Sequence, residues 1–363
     1  MLTAHLERTG GHGGHLGGLL HEAEGPLAVG SLCTGIAGLD LGALRAIGAA
    51  ELVWAADNDP DISVFLRARL PDVPNHGDIR GLDWDRVQPV DVLTAGFPCQ
   101  DISISGRAAG IREGTRSGLW TAVVQAVRHL RPRLLLVEQV AALRWRDRGL
   151  GRLLGDLARI GYDARWCSLR ASDVGAPHPR ERVFIAAHPH RQGRREGPLL
   201  GGRPQEARQA GLTARCNPAV GRDESGGGWV QQELFPPPPP SREGGFGALP
   251  PAPRNDAAED EGEGCPLRRL GAWGSREAVI RRWEHITGYP APCPLEPGQR
   301  GGRRLNPAFS EWAMGFTPGW ITDPDLGLER NAQLKAIGNA VVPQQAHAAA
   351  HLLINDQPPT GQQ

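Results

Sequence analysis

One cysteine of this chain sits where a cysteine can do chemistry. Cys99 lies in AGFPCQDISISG, residues 95–106, between a proline and a glutamine, on a Gly- and Ser-rich stretch that follows an apolar run ending at Thr94. A structural cysteine normally packs as a small hydrophobe inside an element. A residue just past a strand end faces a cleft instead. The thiolate is the reactive form, and no histidine lies in this stretch to generate it; an inert buried thiol is the alternative for a lone cysteine. Glu138, in VEQV at 137–140, closes another apolar run, where partial burial would keep its carboxyl protonated. A proton donor beside a thiol nucleophile suits attack on a conjugated ring, with a ring nitrogen protonated as sulfur adds. In GAPHPRERVF, residues 175–184, Arg180 and Arg182 are two apart, so on a strand they share a side. They could orient Glu138 or a substrate oxygen, or form an ordinary edge salt bridge.

Strands are needed to hold these groups. Apolar runs at 27–29, 51–56, 90–94, 134–137 and 182–187 read as strands, and amphipathic stretches near 38–47, 60–70, 118–130 and 149–160 as helices. This alternation predicts an α/β fold with a mostly parallel sheet and helices on both faces. The unusual residues then fall at carboxyl ends of strands, where ligands bind in open α/β sheets. The glycine turn SLCTGIAG, 31–38, follows the first strand, Asp57 closes the second, 96–99 follow the third and Glu138 the fourth. A Gly-rich turn admits a ligand to the backbone and the helix N-terminus behind it. Asp57 is placed to accept hydrogen bonds from ribose hydroxyls, or else to cap the helix beginning near Asp59. Together these features point to a nucleoside-containing cofactor, either a dinucleotide or S-adenosylmethionine.

Composition constrains less. Forty basic and 40 acidic residues cancel, so net charge neither favours nor excludes a nucleic-acid partner. The basic residues are arginines apart from Lys335, and arginine is the better residue for forked contacts to phosphate and guanine. Cysteines at 33, 99, 167, 216, 265 and 293 show no CxxC pair, so no metal site is indicated and reduced thiols in a cytoplasm are expected. The start of the chain lacks a basic, apolar leader and reads as a flexible Gly/His tail over 1–26. No apolar run approaches membrane-spanning length. Residues 191–265, rich in Gly, Pro and Arg, cannot bury much apolar surface. Order returns at 270–286, with Trp273 and Trp283, and again at 305–353, where Asn306–Pro307 reads as a helix start and 344–353 as a closing helix.

FPCQ at 97–100, EQV at 138–140, RER at 180–182 and GN at 338–339, after the glycine turn, resemble in type and order the C5-cytosine DNA methyltransferases. RLNPAFSEWAMGF, 304–316, is similar to that family's late block in phage and actinobacterial members. The resemblance implies a Rossmann-like S-adenosylmethionine-dependent methyltransferase domain over 27–188, completed by 303–353. It implies a smaller, irregular target-recognition domain over 189–302 and a tail from 354 to 363. It implies an enzyme that transfers methyl from S-adenosylmethionine to C5 of a cytosine flipped out of double-stranded DNA. Cys99 would add to C6 and Glu138 would hold N3 and the exocyclic amine, with Arg182 on the carbonyl oxygen and Arg180 in support. The cofactor would meet Cys33, Thr34, Gly35, Ile36 and Gly38, Asp57 and Asn58, Asp78 and Ile79, Gly96, Pro98, Leu119, Asn339 and Ala340. Gln100, Ser103 and Ser105 would lie on the loop that closes over DNA. Arg268, Arg269, Arg276, Arg281 and Arg282 are the candidates for contact with DNA, or a solvated helix face. A monomer on one duplex is expected, either paired with a restriction endonuclease, as an orphan, or in phage defence.

Three positions depart from the family pattern. Gln139 stands where asparagine is usual, His178 where glutamine is common, and Asn58 where an aromatic often follows the ribose ligand, so stacking on the adenine would fall to Ile79. The rival readings are an RNA cytosine methyltransferase of the same fold, a catalytically dead DNA-binding relative, and a nicotinamide-dependent oxidoreductase. The last needs a substrate base that the sequence does not place.

Overall fold

The computed structural model describes residues 25–98, 118–145, 149–190, 273–298 and 302–355. The apolar runs form strands β1 (Leu27–Leu32), β2 (Ala50–Ala56), β3 (Val92–Ala95) and β4 (Leu134–Val140). Between them lie helices α1 (Gly38–Ile47), α2 (Pro60–Arg69) and α3 (Gly118–Leu130), followed by α4 (Leu150–Arg159), β5 (Tyr162–Arg170) and β6 (Glu181–Pro189). The six strands make one sheet in the order β2-β1-β3-β4-β6-β5. The first four run parallel, and β6 and β5 run antiparallel to their neighbours.

The mostly parallel sheet expected from the sequence is therefore present, with two features the sequence did not specify. Strand β6, whose direction the sequence left open, runs antiparallel to β4 and pairs Val140 with Arg182. Its start consequently lies at the same edge of the sheet as the carboxyl ends of β1 to β4. Strand β5 had not been expected, because YDARWCSLR mixes polar and apolar residues and only Tyr162, Cys167 and Leu169 are buried.

Both faces of the sheet are covered, which explains the continuous apolar runs of its parallel strands. Leu93, Leu135, Val137 and Ile185 face a core with Trp120 and Val123 of α3 and Leu153 and Leu157 of α4. Val29, Val92, Leu136 and Phe184 face a second core. That core holds α1, α2 and the carboxyl-terminal helices α5 (Glu277–Thr287), α6 (Pro307–Ala313), α7 (Arg330–Asn339) and α8 (Pro343–Asn355), while an exposed two-stranded ribbon of β7 (Leu295–Pro297) and β8 (Arg303–Leu305) joins α5 to α6.

Local chemistry sets several element starts. Asp59, rather than Asp57, caps α2, its carboxylate accepting from the amides of Asp61 and Ile62, with Pro60 in the first turn. Asn306 caps α6 through the Ala308 amide, again ahead of a proline. Trp283 and Trp312 lie in the core and donate their indole N–H groups to the carbonyls of Trp312 and Tyr289, which docks α5 on α6. Gly38 and Gly42 let α8 and the irregular segment before it pack against α1. A Cβ on Gly38 would fall 2.0 Å from the Val341 carbonyl oxygen, and one on Gly42 2.4 Å from Ala346 Cβ.

Among the described residues no helix is long and apolar enough to cross a membrane. The expectation that every cysteine is reduced is corrected at one position. Cys293 is disulfide-bonded, while Cys33 and Cys167 carry thiols outside any disulfide. Irregular spacing along the chain says nothing about which sulfurs meet in space.

Candidate active site

The carboxyl ends of β1 to β4, the start of β6 and the end of α7 surround one cleft of about 600 Å³. All fourteen residues proposed for the cofactor, from Cys33 and Thr34 through Asn339 and Ala340, line it, as do Glu138, Arg180 and Arg182.

The turn after β1 has an uncommon backbone. Cys33, Gly35 and Ala37 have φ of 53°, 54° and 61°, a left-handed region that costs residues with side chains. The Gly35 amide donates to Asp57 Oδ2 at 2.9 Å, and Asp57 Oδ1 accepts from the Asp59 amide. Asp57 thus joins the turn to the end of β2, and burial pushes its carboxyl up. Asp78 is held by Arg80, whose side-chain hydrogen bonds bring its carboxyl down to about 2, and Asn58 donates to it at 3.3 Å. Ile79 is buried in the wall beside them. The Cys33 thiol is pushed up to about 12 by burial and by the carboxylates of Asp57 and Asp78, so it stays protonated and is no nucleophile.

At the other end of the cleft Glu138 is buried and Arg182 Nε lies 2.8 Å from its Oε1. Burial pushes the carboxyl up, against the pull of Arg182 and Arg180. A carboxyl raised by desolvation while its ion-pair partner sits within hydrogen-bond distance can both donate a proton and hold a fixed orientation. Gly96 borders this end; a Cβ there would come within 3.8 Å of Glu138 Oε2.

Arg180 and Arg182 line the same cleft but do different work. Arg180 donates to the carbonyls of Gly338 and Ala340 at 2.8 Å each, so it fastens the end of α7 to the start of β6. Glu181, between them, pairs with Arg144 and accepts from Ser168. His178, one of the departures from the family pattern, bonds the Ala313 carbonyl at 3.0 Å.

Other groups at the cleft had not been singled out for it. Gln139 is buried and donates to the Phe97 carbonyl at 2.7 Å. Asp40, in the first turn of α1, accepts from Thr94 Oγ1 of β3 at 2.5 Å. Lys335 meets Asp59 at 2.6 Å across the rim. The position of Lys335, the chain's single lysine, three residues ahead of Gly338–Asn339, was a usable signal; Asp40 offered none beyond its place after the glycine turn.

Cys99, Gln100, Ser103, Ser105, Arg268 and Arg269 lie outside the described residues. Of the other arginines proposed for DNA, Arg276 and Arg282 are exposed. Arg281 is engaged on its own helix by Glu277 at 2.9 Å and Glu284 at 2.8 Å.

Residues 27–209, just over half of the chain, match the family described as C-5 cytosine-specific DNA methylase. The chain belongs to that family. Among relatives of this family member, the type II methyltransferase M2.ScrFI of Lactococcus lactis subsp. cremoris is 38% identical over 114 residues, 30% of this chain and 32% of that protein. M1.ScrFI from the same organism is 31% identical over 156 residues, 42% of this chain and 39% of that one. The chain thus matches well under half the length of these relatives. The Dnmt2 methyltransferase of S. pombe superposes with a TM-score of 0.51 at 16% identity, over 90% of this chain and 98% of that one. That likeness shows a shared fold.

Proposed function

We propose that this chain is a DNA cytosine-5 methyltransferase that uses S-adenosylmethionine and a transient bond between Cys99 and C6 of a flipped-out cytosine. The observation that carries the reading is the Glu138–Arg182 pair at 2.8 Å, buried at one end of a cleft whose opposite end is built from the glycine turn and Asp57. The described backbone ends at Pro98 on the wall of this cleft, one residue before Cys99.

The residues fit the cofactor by their chemistry. Asp57 suits a pair of ribose hydroxyls, Asn58 and Asp78 suit a polar base edge, and Ile36, Ile79 and Leu119 offer apolar walls to a flat ring. Lys335 and Asn339 suit an amino-acid end. When bound, S-adenosylmethionine would supply an electrophilic methyl group. The Cys99 thiolate gives an electron pair to C6, the C5–C6 π electrons move toward N3, and Glu138 delivers a proton there. Arg182 holds the Glu138 carboxyl and presents a donor to the ring carbonyl. C5 becomes nucleophilic. Methylation of C5 would release the thioether S-adenosylhomocysteine; loss of the C5 proton then expels the Cys99 thiolate, and N3 returns its proton to Glu138, which restores the ring.

The recognition region is assigned to 189–302, between the two blocks of the catalytic domain. There Arg276 and Arg282 are exposed, and they are the better candidates for contact with DNA because Arg281 is engaged by Glu277 and Glu284. The relatives' type II names favour a role in restriction–modification beside an endonuclease, in the cytoplasm. The test is transfer of labelled methyl to unmethylated genomic DNA, read base by base by bisulfite conversion. Label at C5 of cytosine in one short recurring sequence is expected from the wild type and none from Cys99→Ser, which should still bind DNA. Turnover by that variant would sink the covalent route.

A further inference from the structure

The turn that lines the nucleoside end of the cleft is held from two sides. From β2, Asp57 accepts the Gly35 amide and the Ala56 carbonyl accepts the Cys33 amide at 2.8 Å. From the opposite side the hold comes from a residue 284 positions away in sequence: Trp320 Nε1 donates to the Ile36 carbonyl at 3.0 Å, in the interior of the protein. The indole is 3% exposed and packs edge-on against Phe65, with ring centroids 5.5 Å apart, and stacked against Phe316 at 6.4 Å.

The segment carrying Trp320 is itself fixed. Glu311, buried in α6, accepts from the amides of Gly319, Ile321 and Thr322 and from the Thr322 hydroxyl. Arg69, at the end of α2, donates to the Trp320 carbonyl at 3.0 Å and pairs with Asp323 at 2.9 Å. The indole therefore has little freedom to follow the turn if the turn moves. A phenylalanine would fill most of this space but leave the buried Ile36 carbonyl without this donor.

We propose that Trp320 is a positioning residue for the cofactor turn. Its indole N–H fixes the Ile36 carbonyl and with it the backbone from Thr34 to Ala37 against which the nucleoside binds. The inference rests on the cofactor reading given above, and the turn's left-handed φ values at Cys33 and Ala37 give it reason to need an external hold.

The experiment compares wild type with Trp320→Phe by calorimetric titration with S-adenosylhomocysteine, by steady-state kinetics, and by hydrogen exchange of the segment 33–40. Loss of one buried hydrogen bond predicts affinity weaker by about five- to tenfold. The KM for S-adenosylmethionine should rise by the same factor, with kcat at saturation within about twofold. Exchange in 33–40 should quicken, and DNA affinity should be unchanged. Arg69→Met keeps the indole but frees its segment, and should move affinity the same way by less. Wild-type affinity and exchange in Trp320→Phe would overturn the inference, as would a fall in kcat that merely tracks lost folded protein. Should that variant fail to fold, an unchanged affinity in Arg69→Met overturns it. A wild type that does not bind S-adenosylhomocysteine overturns the cofactor reading itself, and the inference with it.

Discussion

Gln139 Nε2 donates to the Phe97 carbonyl at 2.7 Å inside the protein, so the strand carrying Glu138 is pinned to the backbone that leads into Cys99. Where the family pattern has asparagine, the longer amide here spans the distance. Asparagine at 139 falls short by one methylene, ~1.5 Å, and would have to drag one strand end toward the other. Gln139→Asn is expected to slow methyl transfer at saturating substrate by about tenfold, and Gln139→Leu by more, since it leaves a buried carbonyl unpaired. Single-turnover rates check this. A Gln139→Asn enzyme as fast as wild type would show that the span is not limiting.

The Arg182–Glu138 pair gives a prediction with a sign. Arg182 lowers a carboxyl that burial raises, so Arg182→Met should raise it further. Activity that needs protonated Glu138 falls as pH rises through its pKa, and in the variant that fall moves to higher pH. The rate near neutrality should still drop by about 10²-fold, because an oriented donor to the ring oxygen is lost. Removing one partner of a buried pair also costs about 3–5 kcal/mol of stability. The pH–rate profile and a denaturant melt separate the two effects.

Asp40 predicts a pH dependence of stability. Burial raises its carboxyl to about 6 despite the hydrogen bonds from Thr94 and Ser31. Its folded pKa lies above the unfolded one, so the native state holds the proton longer, and stability falls as pH rises from about 4 to about 6. A shift of roughly two units corresponds to about 3 kcal/mol. Asp40→Asn should flatten that part of the curve. Urea unfolding at pH 4.5 to 7.5 measures it; equal slopes in the two proteins would contradict the assignment.

Glu311 accepts four hydrogen bonds from the 319–322 segment. Glu311→Gln replaces one acceptor oxygen by an NH₂ that must face donors. A loss of about 1–3 kcal/mol is expected, with weaker binding of S-adenosylhomocysteine if Trp320 is displaced as a result. Thermal melting and titration on the same sample read both.

Much of this protein was legible in its residues alone. The parallel strands are continuous apolar runs because both faces of the sheet are buried, and burial of that kind leaves a local mark in the sequence. Phe97–Pro98, EQV and the glycine turn fall at strand ends for the same local reason, and the capping residues before Pro60 and Pro307 mark helix starts. Other features were decided by packing. The direction of β6 and the existence of β5 depend on which strand edges remain open, and β5's mixed pattern hides it. Arg180 reads as a partner of Glu138 by spacing, yet its guanidinium binds Gly338 and Ala340, 158 and 160 positions away. Trp320 reaches Ile36 across 284 positions. Periodicity and spacing report which way a side chain leaves its own element. Which distant carbonyl it meets there is set by how the elements close over one another, and that only the tertiary structure decides.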